Sequence, residues 1–166
     1  MVRALSEERE GRQPLRKENL LELVGNTPMV RLQRMTAHLP AGVEVWAKLE
    51  TMNPGGSVKD RAAKALILQA IEGGHLDDRQ LLDATSGNTG VAYAMFTAAL
   101  GLPATLVMPS DVSETYRALV RAFGAEILFA PASGGIEACR ELARQTVEAN
   151  PQTYYYANQH GSELNQ

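Results

Sequence analysis

Cysteine is almost absent from this sequence: Cys139 is the only one. An internal disulfide is thereby excluded, and a reducing, cytoplasmic setting is expected. Histidine is nearly as scarce. His38, His75 and His160 are scattered without the spacing of metal ligands, so no metal site is expected. No basic block or stripe interrupts a net charge of −3, which argues against nucleic acid as a partner. No apolar run reaches the length of a membrane span, and the N-terminus has no apolar h-region of a secretory signal. Internal repeats and low-complexity tracts are also missing. What remains is an ordinary globular composition, 45% hydrophobic and 21% charged over 166 residues, enough for one domain with a sizeable core.

Residues 1–17 mix Arg3, Glu7, Glu8, Arg9, Glu10, Arg12, Arg16 and Lys17 with few apolar side chains, and read as a mobile N-terminal arm. Residues 18–166 form the remaining unit, in which strand-like and helix-like segments alternate. Met29 to Leu32 and Val43 to Leu49 carry β-favouring residues. A helix from Ser57 stops near Gly73-Gly74. Leu81, Leu82 and Ala84 make a short strand, a small apolar helix follows from about Gly90 to Leu100, and Ala104 to Met108 is another strand. Tyr116, Leu119, Val120 and Phe123 have the spacing of one amphipathic helix face. Glu126 to Ala130, a helix with Cys139, Leu142, Ala143 and Val147 on one face, and Thr153 to Tyr156 complete the series. Strands and helices alternating at this spacing predict an α/β fold, a doubly wound and mainly parallel sheet with helices on both faces. Cys139 is expected in the core of its helix, and Tyr154-Tyr155-Tyr156 as a strand with alternating faces.

Two segments carry chemistry. Asn53-Pro54-Gly55-Gly56-Ser57-Val58-Lys59-Asp60-Arg61 puts Lys59 just inside a helix start, behind glycines that allow close backbone approach. Ser57 and Asp60 have the spacing of a capping box. The positive end of a helix macrodipole disfavours a cation, a setting suited to a nucleophilic amine. Taken alone, such a lysine is more often an ordinary solvated one. Thr85-Ser86-Gly87-Asn88-Thr89-Gly90 lies between a strand and a helix. Its hydroxyls, amide and backbone N–H groups would suit a carboxylate, although a plain polar-capped turn uses the same residues. Both loops follow a strand and precede a helix, so both are expected on the carboxyl edge of the sheet, facing one crevice. The glycines are spaced as neither a P-loop nor a dinucleotide fingerprint.

With both loops in place, the sequence resembles the cysteine synthase and cystathionine beta-synthase family of pyridoxal-phosphate enzymes. The resemblance rests on Gly25-Asn26-Thr27-Pro28, Lys48-Leu49-Glu50, Asn53 to Arg61, Ala84 to Gly90 and Phe123-Gly124-Ala125-Glu126, in family order. It implies pyridoxal 5'-phosphate as cofactor, attached through the Lys59 amine, with Lys59 also the acid and base of catalysis. Asn88 would bind the cofactor's ring hydroxyl. Thr85, Ser86, Gly87 and Thr89 would hold the carboxylate of a small amino-acid substrate. Gln159, after the tyrosine run, matches a further carboxylate ligand of the family, but a solvated loop glutamine is equally consistent with the sequence. The family's following aromatic residue is replaced by His160, and Asn165 is followed by Gln166 rather than proline. The implied reaction is β-replacement on an activated serine, O-acetylserine plus sulfide giving cysteine and acetate, by a homodimer at full length. A catalytically silent binding module, or a relative that uses O-phosphoserine or makes cystathionine, remains open. The family's second half, with its glycine- and threonine-rich phosphate loop, has no counterpart in these 166 residues, so the fold is expected to be incomplete against the two-domain family fold.

Overall fold

Strand segments that are apolar at every position need cover on both faces, and the structure supplies it. The computed structural model describes residues 16–161. Its strands are β1 (Met29–Arg31), β2 (Trp46–Lys48), β3 (Gln80–Ala84), β4 (Ala104–Pro109), β5 (Glu126–Ala130) and β6 (Tyr154–Tyr156). Its α-helices are α1 (Lys59–Glu72), α2 (Asn88–Leu100), α3 (Glu114–Ala122) and α4 (Gly135–Ala149). The last four strands form a parallel sheet in the order β5-β4-β3-β6. The arm expected over 1–17 lies outside the described residues, apart from Arg16 and Lys17.

The period-two alternation of strands sorts the core into two layers. Leu81, Leu106, Met108, Ile127 and Tyr155 face the side covered by α1 and α2, where Ile67, Tyr93 and Phe96 pack. Leu82, Val107, Leu128, Tyr154 and Tyr156 face the other side, where α4 supplies Cys139 and Ala143. This is the expected three-layer αβα arrangement, and the tyrosine run alternates as expected. Helix α2 is buried over most of its length, which explains its small apolar side chains. It ends at Gly101, whose φ of 69° favours glycine.

Three local expectations need correction. Of Val43 to Leu49, only Trp46–Lys48 is strand, because its partner β1 offers three residues before the chain turns away. These two strands form a separate antiparallel ribbon, so the Lys59 segment does not follow a strand of the main sheet. Leu119 is exposed; α3 packs near the β5 edge, with Val120 as its only fully buried residue.

Candidate functional site

The strand order reverses at β3, because the chain steps through β4 to β5 on one side and returns through α4 to β6 on the other. A crevice opens outside the carboxyl ends of strands at such a reversal, and ligands of doubly wound folds bind there. A cavity of about 310 Å³ lies at this point, lined by Lys59, Thr85, Ser86, Gly87, Asn88, Thr89, Ile136, Gln159 and His160. The first residues of α1 and α2, and Ile136 in the first turn of α4, all lie on its wall. Three helix N-termini thus direct their positive ends towards one small space, and the lining has two basic side chains and no acidic one. Helix N-termini around such a lining favour an anion. A larger depression of about 540 Å³ opens at the opposite edge of the sheet. Its wall includes Leu76, Gly101 and Gln152, which follow the C-terminal ends of α1, α2 and α4; their negative dipole ends disfavour anions.

The sheet side of the crevice is held by buried groups. Thr85 follows β3 and is itself buried. Its hydroxyl oxygen accepts from the N–H of Gly90 at 3.0 Å and of Gly87 at 3.4 Å. This closes the loop and starts α2 at Asn88, two residues before the expected Gly90. Gly90 is required by contact: a Cβ there would meet the Thr85 methyl at 2.7 Å. The Thr85 oxygen therefore shapes the loop, while Ser86 and Asn88 are exposed to the crevice. The first N–H groups of α2 have no intrahelical acceptors. The Tyr116 hydroxyl donates to Asn88 Oδ1 at 3.2 Å, which orients the Asn88 amide.

The Lys59 side is held by a polar cluster. Arg61 donates to both oxygens of Glu50, at 2.8 and 2.9 Å. Thr27 donates to Glu50 at 2.8 Å, and Asn53 to Glu50 at 2.8 Å and to the Ser57 carbonyl at 3.0 Å. Asn53 Oδ1 accepts from the Gly25 N–H at 2.9 Å. Arg61, then Thr27, hold the Glu50 carboxyl down to about 2. Two stretches far apart in sequence, Gly25 to Thr27 and Glu50 to Arg61, are thereby locked around the turn that presents Lys59.

The expected capping box is not formed. The Ser57 hydroxyl accepts from the Lys59 N–H at 3.1 Å, but the Asp60 carboxylate reaches past Ser57 to the Gly55 N–H at 2.5 Å. Gly55 has no room for a Cβ, which would lie 2.6 Å from that carboxylate. Lys59 is the first residue of α1 and is half-buried, and its amine has no hydrogen-bond or ion-pair partner among the described residues.

Gln159 is not a solvated loop residue. It is 3% exposed, its N–H donates to Asp83 Oδ2 at 3.0 Å, and its side-chain amide donates to the Ala84 carbonyl at 2.9 Å. Burial pushes the Asp83 carboxyl up to about 6, against hydrogen bonds from Gln159, Ala84 and Tyr93. His160, next in sequence, lines the crevice; burial, then the charge of Arg140, lowers its pKa. The sequence drew attention to His160 only as a departure. Tyr116, Ile136 and Asp83 carried no local signal, because topology alone brings them to the site.

These residues fit one side of the expected cofactor. An unpaired amine, an oriented amide and converging helix N-termini stand at a single crevice, as an aldehyde, a ring hydroxyl and an anionic substrate require. Lys59 and Asn88 would hold the pyridine ring.

A model for the family described as "Pyridoxal-phosphate dependent enzyme" matches residues 20–166. A cysteine synthase from Aquifex aeolicus is 43% identical over 157 residues, 92% of this chain and 48% of that protein. The crystal structure of a cysteine synthase from Entamoeba histolytica superposes with a TM-score of 0.87 at 34% identity, over 93% of this chain and 47% of that one. An O-acetylserine dependent cystathionine beta-synthase from Helicobacter pylori gives 0.78 at 29% identity, over 86% and 46%. The chain spans about half the length of the relatives it matches.

Proposed function

Because this chain belongs to the pyridoxal-phosphate dependent enzymes, we propose that it forms the Lys59 half of a cysteine synthase-type active site. The observation that carries this reading is the meeting of Lys59 with the Thr85 to Thr89 loop in one anion-suited crevice. The cofactor, when bound, supplies the electron sink that lets a proton leave the α-carbon of an amino acid. The Lys59 amine takes that proton and returns it, acting as base and then acid. Asn88, its oxygen already held by Tyr116, offers its N–H groups to the cofactor's ring hydroxyl. Ser86, Thr89 and the N–H groups at Gly87 and the start of α2 bind and orient the substrate carboxylate. Thr85 supports them through its bonds to Gly87 and Gly90, and the Gln159 side-chain amide, on the same wall, is a further ligand of that carboxylate. Acetate leaves O-acetylserine, sulfide takes its place on the β-carbon, and cysteine is released.

The phosphate of the cofactor and the pyridine nitrogen would be held by residues from the length that the relatives have and this chain does not span. The complete protein is proposed to work as a homodimer. The experiment is an assay of a protein that joins this chain to such a second half. O-acetylserine with sulfide should yield cysteine, at rates at least tenfold above O-phosphoserine with sulfide or serine with homocysteine. A preference for either other pair overturns the substrate assignment, and no turnover with any pair overturns the enzyme reading.

A further inference from the structure

Asp83 is fully buried at the end of β3, yet all its partners are donors. Oδ1 accepts from the Ala84 N–H at 2.8 Å. Oδ2 accepts from the Tyr93 hydroxyl and from the Gln159 N–H, each at 3.0 Å. The Gln159 bond spans 76 residues of sequence. Where β6 ends, the chain turns through Asn158, whose φ is 48°, and Gln159 comes back over the end of β3. We propose that Asp83 is a positioning residue for the crevice: its carboxylate fixes Gln159 on the wall by accepting the Gln159 N–H. This rests on the reading of Gln159 as a ligand for the substrate carboxylate.

The donor set makes the role specific to an ionised acid. A hydroxyl such as Tyr93 can turn and accept, but a backbone N–H can only donate. Both oxygens accept from a backbone N–H, so a proton or an asparagine amide nitrogen sets two donors face to face at Ala84 or at Gln159, and on Oδ2 it faces the Gln159 N–H. The side-chain amide of Gln159 would then hang on its bond to the Ala84 carbonyl alone. Such a buried acid also costs stability when ionised, so packing gives no reason for it here. The groups facing Asp83 are Tyr93 from α2, Arg140 from α4 and Tyr156 from β6. Burial, opposed by the bonds from Gln159, Ala84 and Tyr93, moves its titration to about 6, so the tether holds at neutral pH and releases in mild acid.

The test uses NMR and amide exchange on the whole 166-residue chain. In the unaltered protein the carboxyl carbon of Asp83 and the amide of Gln159 should titrate together, with a midpoint near pH 6. The shared titration should persist in His160→Phe, which removes the neighbouring imidazole. In Asp83→Asn the Gln159 amide should lose protection by about tenfold or more, as loss of a charged hydrogen bond implies, with Leu106 in the core unchanged. Unchanged Gln159 protection in a folded Asp83→Asn protein overturns the proposal. So does a Gln159 titration that ignores Asp83, which decides the matter alone if the variant does not fold. Gln159→Ala in an assembled enzyme separates the two ideas. An unchanged KM for the amino acid overturns the carboxylate role of Gln159, while the exchange data still report whether the tether exists.

Discussion

The two walls of the crevice are built by different physics. The wall carrying Thr85 to Thr89 grows from β3, β4 and α2, where most side chains are buried, and Gln159 joins it from the end of β6. The wall carrying Lys59 is approached through a ribbon whose residues are mostly exposed, including Met29 at 53% and Trp46 at 49%. There, position is set by Glu50, Arg61, Thr27 and Asn53 through hydrogen bonds. Apolar packing fixes the first wall throughout. On the second it holds only the later turns of α1, through Leu66 and Ile67, while the loop and first turn that present Lys59 depend on a few charged and polar bonds that respond to pH and single substitutions. A site divided in this way can keep its anion-binding loop rigid while the lysine keeps some freedom of movement.

The largest effect should come from the packed wall. Phe96 is fully buried between the sheet and its helices, so Phe96→Ala should cost about 3–5 kcal/mol in denaturant unfolding. A loss below about 1 kcal/mol would mean that packing does not define that wall. The next effect is electrostatic. The Asp83 carboxyl is raised to about 6 in the fold, first by burial, so its ionised form is disfavoured relative to the unfolded chain. Its contribution to stability is complete below the unfolded pKa and is lost as pH rises through about 6, on the order of 3 kcal/mol in all. Unfolding followed from pH 4 to 7.5 should show this fall, and Asp83→Asn should remove it. The smallest global effect belongs to the polar wall. Arg61→Ala should leave the unfolding midpoint nearly unchanged but speed amide exchange from Gly25 to Asp60. Glu50, held down to about 2 by Arg61 and Thr27, stabilises that wall above its unfolded pKa, and its share is lost as pH falls from about 4.5 towards 2. Equal loss of protection in β3 and β4 would erase the distinction between the walls.

The layered fold was legible because strand periodicity states which side chains need cover: Leu81 and Leu82 in fact go to opposite layers. The ribbon was less legible. Val43 to Leu49 has β-forming residues, but strand length depends on a partner, and β1 pairs with only three of them. The crevice was anticipated for a reason that needed amending. Lys59 does not follow a strand of the main sheet, and it reaches the switch point through the Glu50–Arg61 cluster instead. The burial of Gln159 was illegible because its partner, Asp83, is 76 positions away. The capping box failed for a physical reason too: glycine at position 55 lets Asp60 approach a more distant N–H.

Under the proposed function, Lys59, and no other lysine, meets the aldehyde of pyridoxal phosphate. Lys17, Lys48 and Lys64 are built-in controls. The chain is mixed with pyridoxal phosphate, reduced with borohydride, digested, and mapped by mass spectrometry. A single dominant adduct is expected on the peptide containing Lys59, absent in Lys59→Ala and weakened in Arg61→Ala. Labelling spread evenly over the four lysines, or concentrated on Lys48 or Lys64, would contradict it.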